Sequence, residues 1–158
     1  MSRPKYPKVV VEYTESFEEK NANSFIPGVI ERWKTAREYL LEAAQGFLLI
    51  ERNLEHANLQ GANLHKARLY RAKLKGIDLR YAYLHGANLH KADLRNSYLQ
   101  GAILTNACLW KTNFENADLH GADFRYANLH RANLKDVIVW GASFQNSRLI
   151  EATIESAI

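Results

Sequence analysis

Residues 57–66 read Ala57-Asn58-Leu59-Gln60-Gly61-Ala62-Asn63-Leu64-His65-Lys66. They are two five-residue units in tandem, each with a small residue first and a leucine at the centre. The pattern extends far in both directions. Of the 21 centre positions from 54 to 154, 16 are Leu, three are Phe (Phe114, Phe124, Phe144) and the others are Val139 and Ile154. Of the 21 small positions from 57 to 157, 16 are Ala, and Ile77, Ser97, Thr112, Val137 and Ser147 fill the rest. A period of five fits neither the helical repeat nor the two-residue repeat of a strand. Five residues turn a helix by about 500°, so the leucines would wander around it instead of forming a stripe. A short, unbroken repeat of this kind predicts a coiling solenoid in which each unit forms one side of a turn.

The units 57–61, 62–66 and Ala117-Asp118-Leu119-His120-Gly121 match the pattern A(D/N)LXX. On these motifs the chain resembles the pentapeptide-repeat family over residues 47–158. The resemblance implies an all-β solenoid: a right-handed quadrilateral β-helix of about five and a half coils, 20 residues per coil. Centre and small residues would point inward and the other three outward.

Elementary physics agrees. A narrow square tube has room for one large and one small side chain per side. Each buried Leu stabilises it by roughly 1.5–3 kcal/mol, and successive coils lie about 4.8 Å apart. The corners need unusual backbone angles. All six glycines of the repeat region occupy the last position of their units, as do Asn96, Asn106, Asn116 and Asn146. These residue types tolerate positive φ.

Residues 1–46 read as an N-terminal segment and capping helix, one continuous structural unit with the repeats. Val9-Val10-Val11 is strand-like. Pro27 and Gly46 bracket an apolar helical face of Val29, Ile30, Trp33, Leu40, Leu41 and Ala44. We expect an α-helical cap over the first coil, joined without a linker to the repeat region at 47–158.

The chain has 158 residues and net charge +4. Its longest apolar stretch, Phe47-Leu48-Leu49-Ile50, is too short to span a membrane. The N-terminal residues lack the apolar core of a signal peptide, and Cys108 is the only cysteine. A cytoplasmic protein is expected, with no intrachain disulfide. The charge is uneven. Residues 1–56 hold 8 Lys+Arg against 9 Asp+Glu, and residues 57–158 hold 13 against 8.

At a stride of 20, residues stack into columns. One column reads Arg71, Lys91, Lys111, Arg131, then Glu151, with no Gly or Asn at its corner. Beside it run Tyr70, His90, Trp110, His130 and Ile150, and Arg68, Cys108 and Arg148 share the same face. Cations beside aromatic rings suit phosphates and stacked bases. Arg68, Tyr70, Arg71, His90, Lys91, Trp110, Lys111, His130 and Arg131 therefore form a candidate anion-binding face. Stacked aromatics and splayed cations also occur as a plain solvated ladder. A second column, Glu55, Lys75, Arg95, Glu115, Lys135 and Glu155, mixes signs and is expected to pair partly with itself. At the C-terminal end Ile138, Trp140, Ile154 and Ile158 form a candidate self-association or partner patch.

With a leucine-filled interior, the expectation is a non-catalytic interaction or regulatory module without cofactor. His65 and His85 share a column, but no histidine lies in a set with metal-ligand spacing, so no metal is expected. Expected partners are a protein, a second copy through the C-terminal coil, or nucleic acid on the basic face. The resemblance also brings in mimicry of duplex DNA toward gyrase, which calls for an acidic tube and suits this basic one poorly. Members of the family are numerous in cyanobacteria.

Overall fold

The five-residue unit is one side of a square coil, and four units bring the chain back above its starting point. The computed structural model describes residue 51 and residues 53–158. Parallel bridges join each unit to the one 20 residues later, as in Asn58↔Asp78, Asp78↔Tyr98 and Tyr98↔Asp118. One such column, Asn53, Lys73, Asp93, Asn113, Asn133 and Thr153, passes through six levels. The strand-like run 9–11, the capping helix expected between Pro27 and Gly46, and the solenoid start near Phe47 lie outside the described residues.

Each bridge carries two backbone bonds. The Leu59 N–H donates to the Asp78 carbonyl at 2.7 Å, and the Asp78 N–H donates to the Ala57 carbonyl at 2.9 Å. The polar groups that a narrow tube buries are thereby paired from coil to coil. Between bridges the chain makes a tight turn. The Ala62 N–H donates to the Leu59 carbonyl three residues back, and only the third turn residue has positive φ, the type II pattern.

Leu, Phe and Ala face inward and are almost wholly buried from Leu54 to Val137. Phe124 lies flat on Phe144 with centroids 4.9 Å apart and meets Phe114 edge-on at 5.9 Å. The small position admits a hydroxyl only where it is satisfied. Thr112 Oγ1 donates to the Leu89 carbonyl at 2.7 Å, and Ser97 Oγ donates to the Leu94 carbonyl.

Where the second position of the unit is Asp or Asn, it serves the local turn. Its Oδ1 accepts the N–H two residues on, as in Gln60 to Asn58 at 3.0 Å and His90 to Asn88 at 3.1 Å. This side-chain turn sets the corner without a ladder partner.

The corners depart from expectation. Positive φ is found at the glycines and asparagines, but also at Lys66, Tyr81, Tyr126, Asp136 and throughout the basic column: Arg71 (54°), Lys91 (59°), Lys111 (56°), Arg131 (57°). The lack of Gly or Asn therefore leaves the corner there unchanged. The ladder imposes the angle, since the Lys91 N–H donates to Trp110 and the Gly101 N–H to His120, both at 2.9 Å.

A candidate anion-binding face

The coil has four outer faces: face 1 contains residues 57–61, face 2 residues 62–66, face 3 residues 67–71, and face 4 residues 72–76. Each continues every 20 residues. Face 3 holds every residue of the candidate basic–aromatic set, and the structure brings them together in adjacent columns.

The rings form a ladder. Tyr70 and His90 have centroids 5.2 Å apart, His90 and Trp110 4.4 Å, and Trp110 and His130 6.1 Å. Their planes are tilted by 51°, 82° and 31°, so the rings are not stacked flat. All four are half-buried. His130 is anchored by a 2.9 Å hydrogen bond between its Nδ1 and the Ile150 carbonyl, which makes Nδ1 the protonated nitrogen. The cations next to the rings are exposed. Arg71 lies over Tyr70 at 5.3 Å and Lys111 Nζ lies over Trp110 at 5.5 Å, within cation–π range.

The cation column differs from the uninterrupted row of like charges suggested by the sequence. Arg71 Nη1 meets Glu51 Oε1 at 3.2 Å, and Arg131 Nε meets Glu151 Oε2 at 2.6 Å. Carboxylates thus close both ends, and repulsion is concentrated on Lys91 and Lys111. Neither has an ion-pair partner among the described residues. Glu51 escaped the sequence reading, although a step of 20 back from Arg71 points to it. The consequence for His90 is direct. Burial, and then Lys91, Lys111 and Arg71, hold its imidazole below the usual histidine range. The hydrogen bond from Arg131 holds the Glu151 carboxyl below its ordinary value.

Elsewhere the arginines are neutralised within their own units. Arg80 pairs with Asp78, Arg95 with Asp93 and Arg125 with Asp123, each at 2.6 Å and each two residues apart. The guanidinium bonds hold Asp93 and Asp123 below the usual carboxylate range. In the mixed-sign column the ion pairs of Arg95 and Lys135 are with Asp93 and Asp136 of their own units, while Glu115 and Glu55 of the column act on Arg95 through charge without a direct pair.

Face 3 has no such Asp. Its turn-forming residues are Asn88 and Asn128, which make the same side-chain turn without a charge. From residue 57 onward face 3 carries six cations (Arg68, Arg71, Lys91, Lys111, Arg131, Arg148) against the one carboxylate of Glu151, a net +5. The whole stretch carries 13 cations against 8 carboxylates, also +5. The charges of the other three faces thus sum to zero.

His65 and His85 stack at 5.3 Å and 6° on face 2, and His85 Nδ1 lies 2.6 Å from Thr105 Oγ1. No group of three or more metal-ligating side chains occurs among the described residues. Cys108 is half-buried on face 3. The C-terminal patch is not a single surface. Ile138, Trp140 and Ile158 lie on face 1, whereas Ile154 is a centre residue of face 4 and is 55% exposed.

Eight copies of the family model for pentapeptide repeats match the sequence, at residues 49–76, 77–116, 99–136 and 127–158. The chain belongs to the pentapeptide-repeat family. The structure is similar to Rfr23, a pentapeptide-repeat protein from the cyanobacterium Cyanothece 51142, with 25% identity and TM-score 0.73 over 79% of this chain and 98% of that one. It is also similar to alr5209, a pentapeptide-repeat protein from Nostoc Pcc 7120, with 26% identity and TM-score 0.51 over 70% and 93%. Full-length QnrB1, a plasmid-mediated fluoroquinolone resistance protein, shares the fold at 14% identity and TM-score 0.58 over 70% and 68%. No curated protein matches the sequence. These likenesses support the right-handed quadrilateral β-helix. No helix among the described residues is long and apolar enough to cross a membrane.

Proposed function

We propose that this pentapeptide-repeat protein is a non-catalytic cytosolic interaction module that engages an acidic partner through face 3. The observation behind this reading is the placement of charge: the turn positions of that face (Arg68, Asn88, Cys108, Asn128 and Arg148) hold no Asp, and Lys91 and Lys111 have no ion-pair partner among the described residues. Apolar side chains fill the tube, so recognition falls to the outer residues. A surface of one sign attracts an oppositely charged partner and aligns it on approach. The same charge disfavours mimicry of duplex DNA, which needs carboxylates in those columns.

Chromatography on an immobilised polyanion tests this. Lys91→Glu/Lys111→Glu should elute at lower salt than the wild type. Lys75→Glu/Lys135→Glu on face 4 has the same net charge and should elute later than the face 3 variant. Equal shifts for the two variants would mean that net charge alone governs retention.

A second reading concerns the last described coil, where Trp140 is 67% and Ile158 69% exposed. We propose association of two copies through that coil. Light scattering at high concentration should show a dimer that Trp140→Glu dissociates. A monomer at all concentrations overturns it.

A further inference from the structure

Face 3 repeats a composite unit. In four successive coils a ring is followed directly by a cation: Tyr70–Arg71, His90–Lys91, Trp110–Lys111 and His130–Arg131. The coil step, measured by the flat Phe124–Phe144 pair, is 4.9 Å. Three such steps give a track of roughly 15 Å. A ligand complementary to this track would repeat an anion and a flat π surface at short intervals. An acidic peptide repeats the anion without the ring, and inorganic polyphosphate does the same. A duplex carries both but keeps its base faces inside its own stack. An unpaired nucleic acid strand presents both, and its flexible backbone can adapt to the coil step.

We propose that face 3 binds single-stranded nucleic acid, with phosphates on Lys91 and Lys111 and bases against the Tyr70–Trp110 part of the ring ladder. This rests on the reading of face 3 as the recognition surface and names its partner. The tilts of 51° and 82° leave ring surface that the next ring does not cover. Base–aromatic stacking is tolerant of sequence because every base has a π face, so little base preference is expected. Arg71 and Arg131 are held by Glu51 and Glu151, so the two lysines make the primary phosphate contacts.

The test is fluorescence polarisation at low salt with three labelled probes: an oligothymidylate of about 20 nucleotides, an abasic strand of equal length, and poly-L-glutamate. The oligothymidylate should bind at least about tenfold more tightly than the abasic strand, the scale of one or two stacked bases. Trp110→Leu, which keeps an apolar side chain but removes the π face, should reduce that difference to roughly threefold or less. Two phosphate contacts should weaken binding roughly 25-fold for a tenfold rise in salt. Lys91→Glu/Lys111→Glu should abolish binding of both strands, with circular dichroism confirming that each variant folds. Equal affinity for the thymidylate and abasic strands overturns the proposal, and the wild-type protein alone supplies that comparison. Binding of polyglutamate in preference to both strands also overturns it but leaves the acidic-partner reading intact. Failure of all three probes overturns both.

Discussion

The ammonium of Lys111 lies over the indole of Trp110, 5.5 Å from the ring centroid, and has no carboxylate partner among the described residues. Trp110 thus offers the cation its π face, Glu151 acts on it only through longer-range charge, and the neighbours of Trp110 in its column are imidazoles. Its own Nε1 is buried without a hydrogen-bond acceptor among the described residues. Removing that N–H while keeping a ring should cost little, because an unmade buried bond is itself unfavourable by about 1–3 kcal/mol. Trp110→Phe should therefore leave the thermal midpoint unchanged or raise it, whereas Trp110→Ala should lower it. Calorimetry on both variants checks this.

Glu151 competes with any anion for Arg131, since it holds the guanidinium at 2.6 Å. Glu151→Gln should strengthen polyanion binding. It should also steepen the salt dependence by about 0.7 in log–log slope if a single strand is the ligand, the increment for one added phosphate contact. Titrations at several salt concentrations give the slope. An unchanged slope would place Arg131 outside the interface.

His90 links pH to the same face. The groups around it are Tyr70, Trp110, Lys91, Lys111 and Arg71, and burial together with the three cations depresses its pKa below 6.5. The folded state therefore binds this proton less readily than the unfolded chain. The associated stability is present above pH 6.5 and is lost as pH falls toward the folded pKa. A bound anion reverses the local sign, so polyanion affinity should rise as pH falls through the same window. In an NMR titration of the free protein, His90 should ionise below 6.5, and Lys91→Glu/Lys111→Glu should raise its pKa. No response to the double substitution would remove the lysines as a cause.

The corners allow a paired test of strain and space. Gly101 and Gly121 both have φ of 64°. A Cβ at Gly121 would meet only the Gly101 backbone nitrogen, at 4.0 Å, whereas one at Gly101 would come within 2.7 Å of the Tyr81 ring. Gly121→Ala should cost about 1 kcal/mol from the left-handed angle. Gly101→Ala should cost more, and the excess should vanish in a Tyr81→Ala background. Denaturant unfolding of the wild type, the three single variants and Gly101→Ala/Tyr81→Ala measures it.

In the core, Phe124 is fully buried between Phe114 and Phe144. Phe124→Ala should destabilise by about 3–5 kcal/mol, the combined transfer and cavity cost of a large buried ring. Equilibrium denaturation checks this value.

The legibility of the fold followed from its geometry. A leucine every five residues and an alanine two places earlier leave little choice of inward side chain, and the structure buries both sets. The columns of face 3 were legible for the same reason: once four units make a coil, a stride of 20 stacks Tyr70 beneath His90 and Trp110. The pairing of charges was much less so. The Asp-x-Arg spacing of Asp78 and Arg80 was present in the sequence, but the column of Lys75, Arg95 and Glu115 offered an equally plausible set of partners. The bond between adjacent outer residues within one unit prevailed because the turn brings the two side chains together.

The sequence by itself determined the period, the inward residues and the grouping of outer residues into columns, because side-chain volume leaves one way to fill a tube this narrow. The tertiary structure alone decided which cations are neutralised and which corners are strained. Both depend on distances between coils. A ladder with fixed steps imposes the same backbone angle on lysine as on glycine, and it brings Glu51 and Glu151 to the ends of the strip while leaving Lys91 and Lys111 exposed between them.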